Sequence, residues 1–174
     1  NLSCHLSVSD WKDVKSRFEN IRIIYVLRDP IARLWSHIKF HHQFAGKGSE
    51  YLNWNETDFK YFLSKKFIWE NATYSEYINI MKNVFSDEEF KVIYFEDLMI
   101  QPETELFKLE SFIGISNLVY NSSVMNKKVN ASKIIEMPLA FKKASLSLLD
   151  KELQSLADTG VDLHKEWKTL TEST

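Results

Sequence analysis

The sequence predicts an α/β layer fold, a parallel sheet packed between helices, and three observations carry that prediction. Two short runs, residues 21–27 and 90–95 ("FKVIYF"), are apolar, aromatic and rich in β-branched residues, as buried strands of a parallel sheet are. Each is followed by a helix-start signal, Asp29-Pro30 after the first and Pro102 after the second. Elsewhere the apolar residues recur at helical spacing, and strands that alternate with helices imply a sheet with helices on its faces. Two strands are too few for a complete sheet of this kind.

The elements are expected in this order. Ser9 or Asp10 caps a helix running to about Phe18, with Trp11, Val14 and Phe18 on one face. The strand 21–27 follows. Asp29 then caps a helix with Pro30 at its first position, ending before Gly46. Residues 46–57 read as a loop. Residues 58–66 and 71–85 read as helices, and in the second Tyr74, Ile78 and Met81 fall at helical spacing. After the strand 90–95, a helix runs from Pro102 through Phe112 and stops at Gly114. Residues 117–136 are polar and irregular. A last helix covers about 138–157, with Leu146, Leu149, Leu153 and Leu156 as its apolar stripe.

With 174 residues, the chain (1–174) reads as a single domain with a sizeable core. Aromatics at 14% predict a core built around large rings. A net charge of −2 argues against nucleic acid as a partner but leaves room for one small basic pocket. Cys4 is the one cysteine, so no internal disulfide forms, which favours a reducing, cytoplasmic setting. Five N-x-S/T sequons, at Asn1, Asn55, Asn71, Asn121 and Asn130, point weakly the other way, to the lumen of a secretory pathway. No apolar run reaches the length of a membrane span.

The stretch "IIYVLRDPIARLWSHIKFHH", residues 23–42, carries the chemistry. Arg28 sits at the carboxyl end of a strand, where open α/β sheets bind ligands. The next helix presents free N–H groups and a partial positive charge there, so an anion is favoured. Ser36 lies seven residues beyond Asp29, two turns along the same face. A guanidinium fork and a hydroxyl on one surface form a phosphate clamp. The competing reading pairs Arg28 with Asp29 or Glu96 and makes Ser36 a packing residue. His41 and His42 read as a solvated helix end, or as groups facing a substrate. His37, His41 and His42 lack the supporting ligands of a metal site, and no metal is expected.

"RDPIARLWSHI" resembles the 3′-phosphate-binding motif of sulfotransferases that use 3′-phosphoadenosine 5′-phosphosulfate (PAPS), in the R-D-P-x-x-R-x-x-S form of the bacterial and heparan-sulfate-type branch. "VIYFEDLMIQPETELFKLESFIGI", residues 92–115, resembles that family's strand, E-D-L turn and following helix; Tyr74 and its helix also fit. The resemblance implies a three-layer, P-loop NTPase-like sulfotransferase fold. It implies that Arg28 and Ser36 bind the 3′-phosphate and that Phe95 stands near the adenine; a core strand position is the alternative for Phe95. Arg33 is expected to brace the helix, and Asp97 to fix its turn. Relatives close over the nucleotide with a basic segment, which makes Lys127, Lys128 and Lys133 candidates for phosphate contact; a solvated loop is the alternative.

The family's first strand, with the lysine-bearing loop that holds the 5′-phosphosulfate, has no counterpart in these residues, and no G-x-x-x-x-G-K occurs. The chain therefore reads as the C-terminal portion of the fold, whose sheet should leave an apolar edge or face open. The catalytic base is unassigned. His5, in "SCHLS", is a thin echo of a catalytic histidine in the cytosolic branch, against a chain-end histidine. The function expected is transfer of a sulfuryl group from PAPS to a hydroxyl or amine of a glycan, peptide or small molecule, without a metal. The alternative is a non-catalytic nucleotide-binding remnant that shares Arg28 and Ser36. A P-loop kinase would need a Walker loop and magnesium ligands, and neither is seen.

Overall fold

The computed structural model describes residues 6–70, 72–116, 118–121, 125, 135–165 and 167. Its described elements are α1 (Val8–Ser16), β1 (Ile23–Leu27), α2 (Pro30–Phe44), a 3₁₀ turn (Glu50–Asn53), α3 (Glu56–Leu63), α4 (Lys66–Trp69), α5 (Ser75–Val84), β2 (Phe90–Tyr94), α6 (Phe95–Ile100), α7 (Pro102–Ile113) and α8 (Leu139–Asp158). β1 and β2 pair in parallel, Ile23 opposite Phe90 through Leu27 opposite Tyr94. The α/β class holds, with a small parallel sheet and flanking helices.

Several boundaries differ from the sequence reading, each for a local reason. α1 starts earlier because Ser7, rather than Ser9 or Asp10, is its cap: Ser7 Oγ accepts from the Asp10 N–H while the Asp10 carboxylate accepts from the Ser7 N–H. α3 starts at Glu56 because Asn55 and Asp58 form the same reciprocal pair. Phe95 is not the last strand residue but the first of α6. α7 stops as expected at Gly114, whose φ of 76° is the left-handed conformation that costs a Cβ-bearing residue most.

Two aromatic-rich cores form. One joins α2, the 3₁₀ turn, α3 and α8 around Leu34, Trp35, Tyr51, Phe59 and Phe141. Phe59 and Phe141 stack there with centroids 4.1 Å apart. The other lies under one face of the sheet, around Leu27, Tyr74, Ile78, Phe90, Leu156 and Trp167. α8 serves both, giving Leu149 to the first and Leu156 to the second, so its predicted stripe is what joins them. The opposite face of β1 is open, with Ile24 and Val26 exposed at 37% and 43%, and β1 has no partner on its other edge among the described residues. No described helix is long and apolar enough to cross a membrane.

The expectation of a solvated end to α2 is corrected. His42 is buried (3% exposed) because Tyr51, Trp54 and Phe62 close around its ring. Burial above all, then the charges of His41 and Lys47, holds its pKa below the ordinary histidine value.

α5 has no cap from its own sequence. Glu152 of α8 supplies one: its carboxylate accepts from the N–H groups of Tyr74 (2.5 Å) and Ser75 (2.8 Å) and from the Ser75 hydroxyl (2.8 Å). Glu152→Ala leaves these part-buried donors unpaired. It is expected to lower the unfolding free energy in urea by about 2 kcal/mol or more, and Glu152→Gln by less.

Candidate anion site at the β1–α2 turn

Four hydrogen bonds fix the turn after β1. The Tyr74 hydroxyl donates to the Arg28 carbonyl at 2.9 Å. The Asp29 N–H donates to Glu96 Oε1 at 2.8 Å. Asp29 Oδ1 accepts from the N–H groups of Ile31 (2.8 Å) and Ala32 (3.2 Å), with Pro30 at the first helical position. Asp29 is thus the cap that the sequence predicts. Arg33 lies over the Tyr74 ring, its guanidinium carbon 5.1 Å from the centroid, and so braces the turn as expected.

The Arg28 guanidinium lies over the Phe95 ring, 4.9 Å from its centroid. Neither predicted ion pair forms: among the described residues no ion pair or side-chain hydrogen bond involves the guanidinium. Glu96 Oε1 accepts from the Asp29 N–H and Asp29 Oδ1 caps the helix, while Glu96 Oε2 is buried without a hydrogen-bond partner among the described residues. The fork borders a cleft of about 320 Å³ lined also by Asp29, Ala32, Phe95, Glu96, Met99, Ile100 and Trp167. One end carries Arg28 with the carboxyl groups of Asp29 and Glu96 beside it, and the other walls are aromatic and aliphatic.

The structure therefore brings Arg28 and Phe95 together, and Phe95 (36% exposed) is a cleft wall instead of a core strand residue. Ser36 is half-buried on α2, about 10 Å along the axis from Asp29, and is not among the residues lining the cleft. Asp97 lies within reach of His164, Oδ1 to Nε2 at 3.3 Å, which ties α6 to the segment after α8. His5, Lys127, Lys128 and Lys133 lie outside the described residues. No three His, Cys, Asp or Glu side chains among the described residues are grouped to hold a metal ion.

Met99, Ile100 and Trp167 were not singled out by sequence reasoning. Their signal was slight: two apolar residues on a short helix that leave 55% and 63% of their surface exposed, and a tryptophan far along the chain. Trp167, by contrast, is almost fully buried and packs on Tyr74 and Tyr94 behind the cleft.

The family model of the sulfotransferase domain matches residues 2–148. No curated protein matches the chain. Among solved structures, the chain is similar to a sulfotransferase from Alicyclobacillus acidocaldarius, with a TM-score of 0.65 and 19% identity, a likeness of fold. The match covers 92% of this chain but 62% of that one, so the chain spans less than two thirds of that structure's length.

Burial holds the Asp29 carboxyl above its ordinary value; the N–H groups of Ala32 and Ile31 work against this, and the Glu96 charge adds to it. A carboxyl with a raised folded pKa favours folding while protonated. That contribution is fully present below the ordinary range, about pH 4, and is lost as pH rises through the folded value. Asp29→Asn keeps the capping oxygen and removes the charge. Its stability relative to the parent should grow between about pH 4 and 7, as read by urea unfolding. Asp29→Ala loses the cap and should cost about 1 kcal/mol.

Proposed function

The chain belongs to the sulfotransferase family, and on that premise we propose that the β1–α2 turn holds the 3′-phosphate of PAPS. The observation that carries this reading is the Arg28 guanidinium, set at a strand end and a helix N-terminus, laid over Phe95 and without an ion-pair partner among the described residues. Its planar fork suits phosphate. The cleft fits the rest of the group: Phe95 offers a face for a purine, and Met99 and Ile100 an apolar border.

PAPS, when bound, supplies the sulfuryl group, whose bond to the bridging oxygen breaks as one to an acceptor oxygen or nitrogen forms. The work of this chain's residues is positioning. Arg28 anchors the 3′-phosphate at the positive end of α2, whose first N–H groups are held by Asp29, and Ser36 contributes a hydroxyl further along the helix. Phe95 orients the base. Lys127, Lys128 and Lys133, outside the described residues, are proposed as further phosphate contacts. A base takes the proton that the acceptor hydroxyl or amine loses; the acceptor belongs to a glycan, a peptide or a small metabolite, and no metal is required.

Calorimetric titration of the intact protein with 3′,5′-ADP and with 5′-AMP tests the reading. Arg28→Ala is expected to weaken 3′,5′-ADP at least about tenfold, since a charged hydrogen bond contributes roughly 1.5 to 3 kcal/mol. It should leave 5′-AMP, which lacks the 3′-phosphate, nearly unchanged. Arg28→Lys should restore only part of the loss. Phe95→Ala should weaken both nucleotides alike, by about tenfold for a stacking contact worth about 1–3 kcal/mol. Equal losses for the two ligands in Arg28→Ala would make Arg28 a structural residue.

A further inference from the structure

His42 is a buried titratable group that the nucleotide reading leaves unused. It stands near the C-terminal end of α2, with 3% of its surface exposed. Tyr51 of the 3₁₀ turn, Trp54 just after it and Phe62 of α3 pack around the ring, with centroids 5.5, 4.9 and 5.5 Å away. Nδ1 and Nε2 are both buried, and neither has a hydrogen-bond partner among the described residues. A neutral imidazole carries one N–H and one lone pair, and this pocket offers the N–H only the weak acceptor of an aromatic face.

An imidazolium would fare worse, with two N–H groups and a full charge. Among the groups around it, His41 of α2, Lys47 beyond α2 and Lys65 beyond α3 oppose a positive charge at this place, and the exposed Glu50 of the 3₁₀ turn favours one. Tyr51, the other titratable neighbour, meets the ring edge to face. A cation over aromatic rings recovers less than a charge loses when it is stripped of water. Water reaches the nitrogens only if the wall that covers them moves. Tyr51 and Phe62 belong to the first core and Trp54 packs on it, whereas Leu27, Tyr74 and Phe90 belong to the core under the sheet. The wall can therefore open as a unit of its own.

We propose that His42 is an acid-sensitive latch: when its ring takes a proton, the 3₁₀ turn and α3 come away from the end of α2, while the sheet and the β1–α2 turn keep their structure. The inference does not depend on the nucleotide reading. An imidazole in water takes its proton near pH 6.5, and burial holds the closed one below that value. The closed form is thus fully favoured above about pH 6.5 and loses ground as pH falls below it, by up to about tenfold per unit.

Hydrogen exchange on the intact protein at pH 7.5 and 5.5, corrected for the intrinsic effect of pH on exchange, tests the latch. The amides of α3 should lose about tenfold in protection at the lower pH, with those of β1 and β2 unchanged. His42→Phe and His42→Gln, which cannot take the proton, should abolish the loss in α3. Unchanged protection of α3 in the parent would overturn the proposal. So would an equal loss in β1 and β2, which would mean that acid opens the whole protein. A loss that persists in both variants would assign the trigger to another group and also overturn it. If neither variant folds, the His42 ring resonances of the parent decide by nuclear magnetic resonance: a loss of α3 protection that follows their titration supports the latch, and one that does not follow it overturns the latch.

Discussion

The backbone N–H of Asp29 donates to the Glu96 carboxylate at 2.8 Å, and this one bond ties the ends of the two strands together. Parallel pairing already sets Leu27 beside Tyr94. The bond extends the coupling one step past the sheet, so that the start of α2 and the start of α6 are held in register. Arg28 leaves one element and Phe95 begins the other, and their stacking follows from that register. The bond engages one oxygen, Oε1, of the carboxylate beside Arg28.

Behind this turn stands Tyr74. Its ring is fully buried against Trp167 and under Arg33, its hydroxyl holds the Arg28 carbonyl, and its N–H is held by Glu152. Burial raises the pKa of the phenol further above its ordinary value, so it remains a donor at physiological pH. Glu152 lies on α8, which also joins the two cores. The position of Arg28 thus depends on packing that begins far away in the chain. A cation over a ring gains about 0.5–2 kcal/mol, less than a bound phosphate offers. Phe95 therefore orients the fork without competing for it.

What the sequence made legible was local. Asp29-Pro30 announces its own cap and first helical turn, and the β-branched runs announce two strands. Phe95 was recognisable as an aromatic at a strand end, but its placement in the cleft depends on α6 starting one residue early, below the resolution of a pattern argument. Ser36 lies two turns along α2 from Asp29 and is not among the residues lining the cleft. The contacts that sequence reasoning missed join residues far apart in the chain. Tyr74 to Arg28 spans 46 positions and Tyr74 to Glu152 spans 78. His42 was misread for the same reason, since the rings that bury it come from the 3₁₀ turn, α3 and the segment between them.

The central claim is that Arg28 holds a nucleotide 3′-phosphate. A crystal structure of the intact protein with 3′,5′-ADP tests it most directly. The account predicts the 3′-phosphate within hydrogen-bonding distance of the Arg28 guanidinium, beside the start of α2, with the adenine beside Phe95. A complex in which the 3′-phosphate lies elsewhere, or in which Arg28 turns to pair with Glu96 while the nucleotide is bound, would contradict it.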